Sequence, residues 1–160
     1  MAVYKIFPTK DATIYTAYPD ANTGLDEIIE TSLEVGVLMF PEPQTSRFLI
    51  QFSSDDITDV LVNKISSSQW QSNLRCFVAN VEGLNLDTTL EIYPVSQSWE
   101  MGVGKYANSP KTTTGVSWIW KDYLSGSKWI SGSFNSGTTG SRSEEHTSEL
   151  QSRFGISYAV

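Results

Sequence analysis

The sequence predicts an all-β fold, an antiparallel jelly-roll-like β-sandwich with one short helix. Three observations lead there. Aromatic residues make up 12% of the chain and charged residues only 18%, against roughly 25% charged in ordinary soluble domains. Apolar and polar residues alternate over several short stretches, the period of a half-buried strand. Clusters of Gly, Pro, Asn, Asp and Ser separate those stretches, as turns separate short strands.

The elements follow in chain order. Tyr4–Phe7 and Ala12–Thr16 read as short strands split by the turn-rich tetrad Pro8-Thr9-Lys10-Asp11. Pro19-Asp20-Ala21-Asn22-Thr23-Gly24 is a loop. Glu27–Val35 reads as a strand with Ile29, Thr31, Leu33 and Val35 on one face. Pro41-Glu42-Pro43 breaks the chain. Ser46–Phe52 is a stronger strand, with Phe48, Ile50 and Phe52 alternating against Arg47, Leu49 and Gln51, and is apolar enough to be central. Ser53-Ser54-Asp55-Asp56 looks like an N-cap, and Ile57, Val60, Leu61 and Ile65 follow at helical spacing. Asn73–Val81 reads as a strand with Leu74, Cys76 and Val78 in one row and Phe77, Ala79 and Val81 in the other. Gly83–Asp87 turns the chain into another strand, Thr88–Val95. Beyond Ser96, Trp99, Trp118, Trp120 and Trp129 punctuate a run rich in Gly, Ser, Thr and Asn, which reads as long loops with short strands between them.

The last residues stand apart. Arg142-Ser-Glu-Glu-His-Thr-Ser-Glu-Leu-Gln-Ser152 resembles one reading frame of a common sequencing-library adapter, and Ile156-Ser-Tyr-Ala-Val160 resembles a second fixed part of it. Arg153-Phe154-Gly155 between them matches the length of an index read. The expectation is therefore two parts: an incomplete β-sandwich domain over 1–141 and a spurious adapter-derived tail over 142–160. The only histidine, His146, lies in the tail. A sandwich lacking its last strands would expose an unpaired edge, so 1–141 is expected to be marginally stable or to aggregate.

Composition excludes several classes. The net charge of −7 argues against a nucleic-acid partner, which would call for a basic face. One cysteine, Cys76, leaves no intrachain disulfide. The start, Met1-Ala2-Val3-Tyr4-Lys5, lacks the apolar run of a secretory signal. No stretch approaches the roughly 20 apolar residues of a membrane span.

A family resemblance rests on several segments. Asp11-Ala12-Thr13-Ile14-Tyr15, then Pro19 and Asn22-Thr23-Gly24, resembles the opening of DNRLRE-type β-sandwich domains. Ser46-Arg47-Phe48-Leu49-Ile50-Gln51-Phe52 resembles their "S-R-x-L-I-x-F" strand. Val95–Gly104 resembles their "V-x-x-x-W-x-E-G-x-G" segment, with Met101 inserted between Glu100 and Gly102. Gly115-Val116-Ser117-Trp118 resembles the following "G-x-x-W". The start and overall run are similar to virion structural proteins of T4-like phages of marine cyanobacteria. The resemblance implies a non-catalytic sandwich of a surface protein, with Trp99 and Trp118 as core positions. It also implies a virion component, extracellular after release by lysis, with other virion proteins as partners and oligomerisation open.

The chemistry agrees. With His146 set aside, no Ser-His-Asp or Cys-His arrangement can be assembled, and zinc sites fail with Cys76 alone. No cofactor is expected. Gly102-Val103-Gly104 lacks the third glycine of a dinucleotide fingerprint. Asp55-Asp56 reads as a helix cap rather than an acid–base pair. Asp20, Asp26 and Glu27 around Asn22-Thr23-Gly24 admit a structural calcium loop, though a solvated turn is the simpler reading. Arg47 is expected to pair a carboxylate such as Glu100. The remaining candidates are aromatic: Tyr106, Trp120 and Trp129 lie in polar, glycine-rich sequence, where exposed rings stack on sugars. The functional expectation is a non-enzymatic virion protein of the tail or fibre region contacting host surface polysaccharide. The alternative is a carbohydrate-binding module of a cell-surface or secreted polysaccharide-active protein.

Overall fold

The computed structural model describes residues 3–34, 42–65, 70–80 and 90–130, with the backbone of a strand over 154–159. The described elements are β-strands with one short helix. In chain order they are β1 (Pro8–Tyr15), β2 (Ser32–Glu34), β3 (Gln44–Phe52), helix α1 (Ser54–Asp59), β4 (Leu90–Pro94), β5 (Trp120–Asp122), β6 (Ser127–Lys128) and β7 (Phe154–Ala159).

β3 is the centre of the main sheet. β1 lies antiparallel along one edge, from Pro8 opposite Phe52 to Tyr15 opposite Ser46. Ser46 also pairs with Ser32 of β2, so β2 takes the start of the other edge. Farther along that edge β7 pairs parallel with Phe48–Gln51, and β4 lies parallel on the far side of β7. β5 and β6 form a separate two-stranded hairpin.

The alternation read in β3 is real in space. Leu49 packs with Ala12 and Ile14 of β1 against Trp99 and Val116, while Phe48 and Ile50 form a second cluster with Ile29 and Phe52. Both faces of β3 are thus covered, as its apolar sequence implies. Trp99 is 1% exposed and fills the first cluster. Truncating so large a buried ring to Ala typically costs about 3–5 kcal/mol.

Several local expectations are corrected. Tyr4–Phe7 forms no strand, and the supposed turn Pro8–Asp11 is the first half of β1. Pro8 is tolerated because it is the first strand residue, where its missing N–H breaks little of the ladder, and the register shifts between Pro8 and Lys10. Of the described residues 27–34 only Ser32–Glu34 are strand; Glu30 N–H instead donates to the Thr13 hydroxyl at 3.0 Å, tying the loop across β1. Residues 73–80 of the expected Asn73–Val81 strand do not form a strand, and Phe77 is 87% exposed. Gly83–Asp87 lies outside the described residues, as does 131–141.

The helix begins where the capping residues place it. The Ser53 side chain accepts from Asp56 N–H at 3.2 Å, and Asp55 and Asp56 sit in the first turn. It then widens into a π-helical turn over Val60–Lys64, closed by Ile65 N–H to Val60 C=O at 3.0 Å. No helix among the described residues is long and apolar enough to cross a membrane.

Candidate functional site

The motif-bearing loops meet at one buried side chain, Asn22, which is 1% exposed. Its Nδ2 donates to the carbonyls of Met101 at 2.7 Å and Val116 at 2.8 Å. Its Oδ1 accepts from Gly104 N–H at 2.8 Å and Gly24 N–H at 3.3 Å. Its own N–H donates to Thr112 C=O at 2.9 Å. One amide therefore satisfies the polar backbone of three separate loops, where an unmet group would cost about 1–3 kcal/mol.

This convergence explains the glycines. A Cβ on Gly24 would lie 2.0 Å from Met101 O, and one on Gly104 would lie 2.2 Å from Asn22 O. Gly102 has φ +78° and Gly115 φ +62°, the left-handed region that side chains avoid. Beside them, the Thr23 hydroxyl accepts from Thr13 N–H and donates to Thr13 C=O, standing in for a neighbouring strand at the edge of β1. The residues shared by the motif segments are thus spent on architecture.

Tyr106 is carried by the same loop assembly. Its N–H donates to both carboxylate oxygens of Asp26, at 3.1 and 3.0 Å. Its ring lies 4.8 Å from Tyr15 and 5.8 Å from Tyr18, and 43% of the residue stays exposed. The Lys111 ammonium sits 4.1 Å from the Tyr106 ring centroid and 4.7 Å from that of Tyr18. These rings border a shallow groove whose other walls include Glu30, Ser32, Glu34, Gln44 and Thr45. Burial, reinforced by Glu30, pushes the Tyr15 phenol well above its ordinary value. Tyr106 is raised too, by burial first and then by Tyr18, Glu30 and Glu34. Glu30 and Glu34 thus line the groove beside the tyrosine rings, and the Lys111 ammonium lies over two of those rings.

Trp120 and Trp129 lie on and beside the β5–β6 hairpin. Trp120 Nε1 donates to Asp20 at 2.6 Å, its ring meets Tyr123 edge-on at 5.3 Å, and Lys128 stands 4.7 Å from its centroid. Trp129 Nε1 donates to Ser117 C=O at 2.9 Å, and its partly buried ring packs against the Trp99 cluster. Tyr106 is thus built into the groove, whereas Trp120 is half-covered and Trp129 largely serves the core. Sequence reasoning missed Tyr15, Tyr18, Glu30, Glu34 and Lys111. Tyr15 and Tyr18 flank the start of the Pro/Asn/Gly loop, the one signal that could have drawn them in.

The carboxylates considered for calcium have other partners: Asp20 takes Trp120, Asp26 takes Tyr106, and Glu27 pairs with Lys105. The Lys105 ammonium holds the Glu27 carboxyl below its ordinary value. Among the described residues no group of three His, Cys, Asp or Glu could hold a metal ion. Glu100 pairs with Lys10 at 3.3 Å, and Arg47 stacks over Trp118, its Cζ 4.8 Å from the ring centroid. Burial lowers the Arg47 pKa from its ordinary value.

Comparison with family models, curated proteins and solved structures finds no match for this chain.

Proposed function

We propose that this chain is a non-enzymatic structural β-domain of a tailed-phage particle, in the tail or fibre region, and that its Tyr15–Tyr18–Tyr106 groove contacts host surface glycans. In this reading the fold is a jelly-roll-like sandwich over 1–141, its partners are other virion proteins and host polysaccharide, and it is extracellular after lysis. The observation that carries the reading is the groove itself. Tyrosine rings offer apolar faces to sugar C–H groups, and Glu30, Glu34, Gln44 and Lys111 supply acceptors and donors for hydroxyls. The segments resembling DNRLRE domains support the structural half of the reading, because their shared residues build the Asn22 junction rather than a reactive centre.

Two experiments test the two halves. Mass spectrometry of purified particles should find the chain at structural stoichiometry; its absence from particles, with a polysaccharide-active reading frame beside its gene, would favour the module alternative. On a glycan array, binding should fall at least about tenfold with Tyr106→Ala, the loss of one good aromatic–sugar stack. Binding indifferent to Tyr106→Ala, Trp120→Ala and Trp129→Ala would sink the glycan assignment.

A further inference from the structure

The tyrosine groove already seats a cation of its own. Lys111 is half-buried, and its ammonium lies 4.1 Å from the Tyr106 ring centroid and 4.7 Å from that of Tyr18. Both distances fall within the roughly 6 Å at which a ring face attracts a positive charge. The same ammonium donates to the Tyr106 carbonyl. Among the described residues it makes no ion pair. Ring faces and one backbone oxygen, not a carboxylate, hold this charge.

The carboxylates of the groove stand beside that seat. Glu30 and Glu34 line the groove with the rings and are exposed. Among the described residues neither has an ion-pair partner. Their charge is felt at the rings: the Tyr106 phenol is raised by burial first, then by Tyr18, then by Glu30 and Glu34. The charged residues lining the groove are thus both acidic. An anionic ligand would meet two like charges there, whereas a cationic one would meet two carboxylates and two ring faces.

We propose that the groove selects sugars bearing an ammonium group, the unacetylated amino sugars, and that Lys111 holds the place of that group in the free protein. This rests on the groove's being a glycan contact and adds the charge class of the glycan. The ligand ammonium displaces Lys111 from the Tyr18 and Tyr106 faces and gains Glu30 and Glu34, which Lys111 does not pair. The tyrosine rings keep their apolar contact with the sugar C–H groups. Toward a neutral glycan Lys111 acts as a donor. Toward an amino sugar it is a competitor, and apparent affinity scales with the fraction of molecules in which it has left the rings.

The test titrates the full chain with a glucosamine oligomer and with its N-acetylated counterpart, at mildly acidic pH so that the amines are charged. The amino form should bind at least about tenfold more tightly, the combined effect of two exposed carboxylate contacts. Glu30→Gln and Glu34→Gln should each weaken the amino form about threefold and leave the N-acetylated form unchanged. Asp59→Asn removes one negative charge from α1, outside the groove, and should change neither. Lys111→Met keeps an unbranched stem without the charge and should tighten the amino form at least about twofold. Equal affinity for the two oligomers, or tighter binding of the N-acetylated one, overturns the charge class and leaves the glycan reading standing. Binding of neither overturns it as well, and the glycan array then decides the glycan reading separately. An Asp59→Asn loss as large as that of Glu30→Gln overturns it, because the net charge of −7 would then be the attraction. Oligolysine bound as tightly as the amino sugar overturns the sugar assignment. Unchanged or weaker binding of the amino form by Lys111→Met overturns Lys111 as the occupant.

Discussion

Replacing Asn22 by alanine should be among the most damaging single substitutions in the chain. The side chain makes three bonds of 2.7–2.8 Å, to Met101 C=O, Val116 C=O and Gly104 N–H. At about 1–1.5 kcal/mol each, their loss amounts to about 3–4.5 kcal/mol, and the three backbone groups lose their partner at a buried site. A domain with about 5 kcal/mol of folding stability would retain only about 1–2 kcal/mol of it. At about 2–4 °C per kcal/mol for a chain of this size, the midpoint should fall by about 10 °C. Urea and thermal unfolding followed by circular dichroism measure both quantities. Asn63→Ala is the control, because it deletes one exposed bond, Asn63 to Asp59 at 2.8 Å, and should cost no more than about 0.5 kcal/mol. Asn22→Asp should not rescue, because it keeps the acceptor but faces two carbonyls with a charge. An Asn22→Ala loss below about 1 kcal/mol would refute the reasoning that one amide joins the three loops.

Other outcomes follow from the same geometry. Gly24→Ala should cost about 3 kcal/mol or more, since its Cβ would sit 2.0 Å from Met101 O, whereas Gly126→Ala, with φ +68° and nothing within 4 Å, should cost only about 1–2 kcal/mol from backbone strain; denaturant midpoints decide the order. Tyr15 should resist ionisation in the folded protein. Its folded pKa lies above the ordinary value of 10.0, so its contribution is complete below that pH and is lost as pH rises above it. Tyr15→Phe should therefore flatten the alkaline fall in stability, read from unfolding midpoints between neutral and strongly alkaline pH. Removing residues 142–160 should leave the denaturant midpoint nearly unchanged if the tail is adapter-derived, and a shift worth more than about 2 kcal/mol, as expected for losing a central strand with its packing, would contradict that reading.

The legible parts of the fold were those set by neighbouring residues. The alternation in Phe48–Phe52 predicted a strand covered on both faces, and Ser53 predicted the helix start, because period and capping are local. Trp99 as core followed from its motif position. Pro8–Asp11 misled because Pro and Asp favour turns on average, while here a strand simply begins at its proline. Residues 73–80 show the limit of periodicity: alternation says a segment can be a strand, and the rest of the fold decides whether it is one. Asn22 was invisible for a related reason. An asparagine in a Pro/Asn/Gly loop reads as a turn former, and its four side-chain bonds reach residues far along the chain apart from Gly24. Among the ring candidates, Tyr106 was legible as an aromatic in polar sequence, but the Tyr15, Tyr18 and Lys111 that frame it come from separate segments.

The Tyr106 groove is the proposed glycan contact. Calorimetric titration of the full chain with host surface polysaccharide, beside Tyr106→Ala at matched thermal stability, tests it most directly. The groove reading predicts saturable binding that weakens at least about tenfold, about 1.4 kcal/mol, in the variant. Equal affinity in both proteins, or no binding by either, would contradict it.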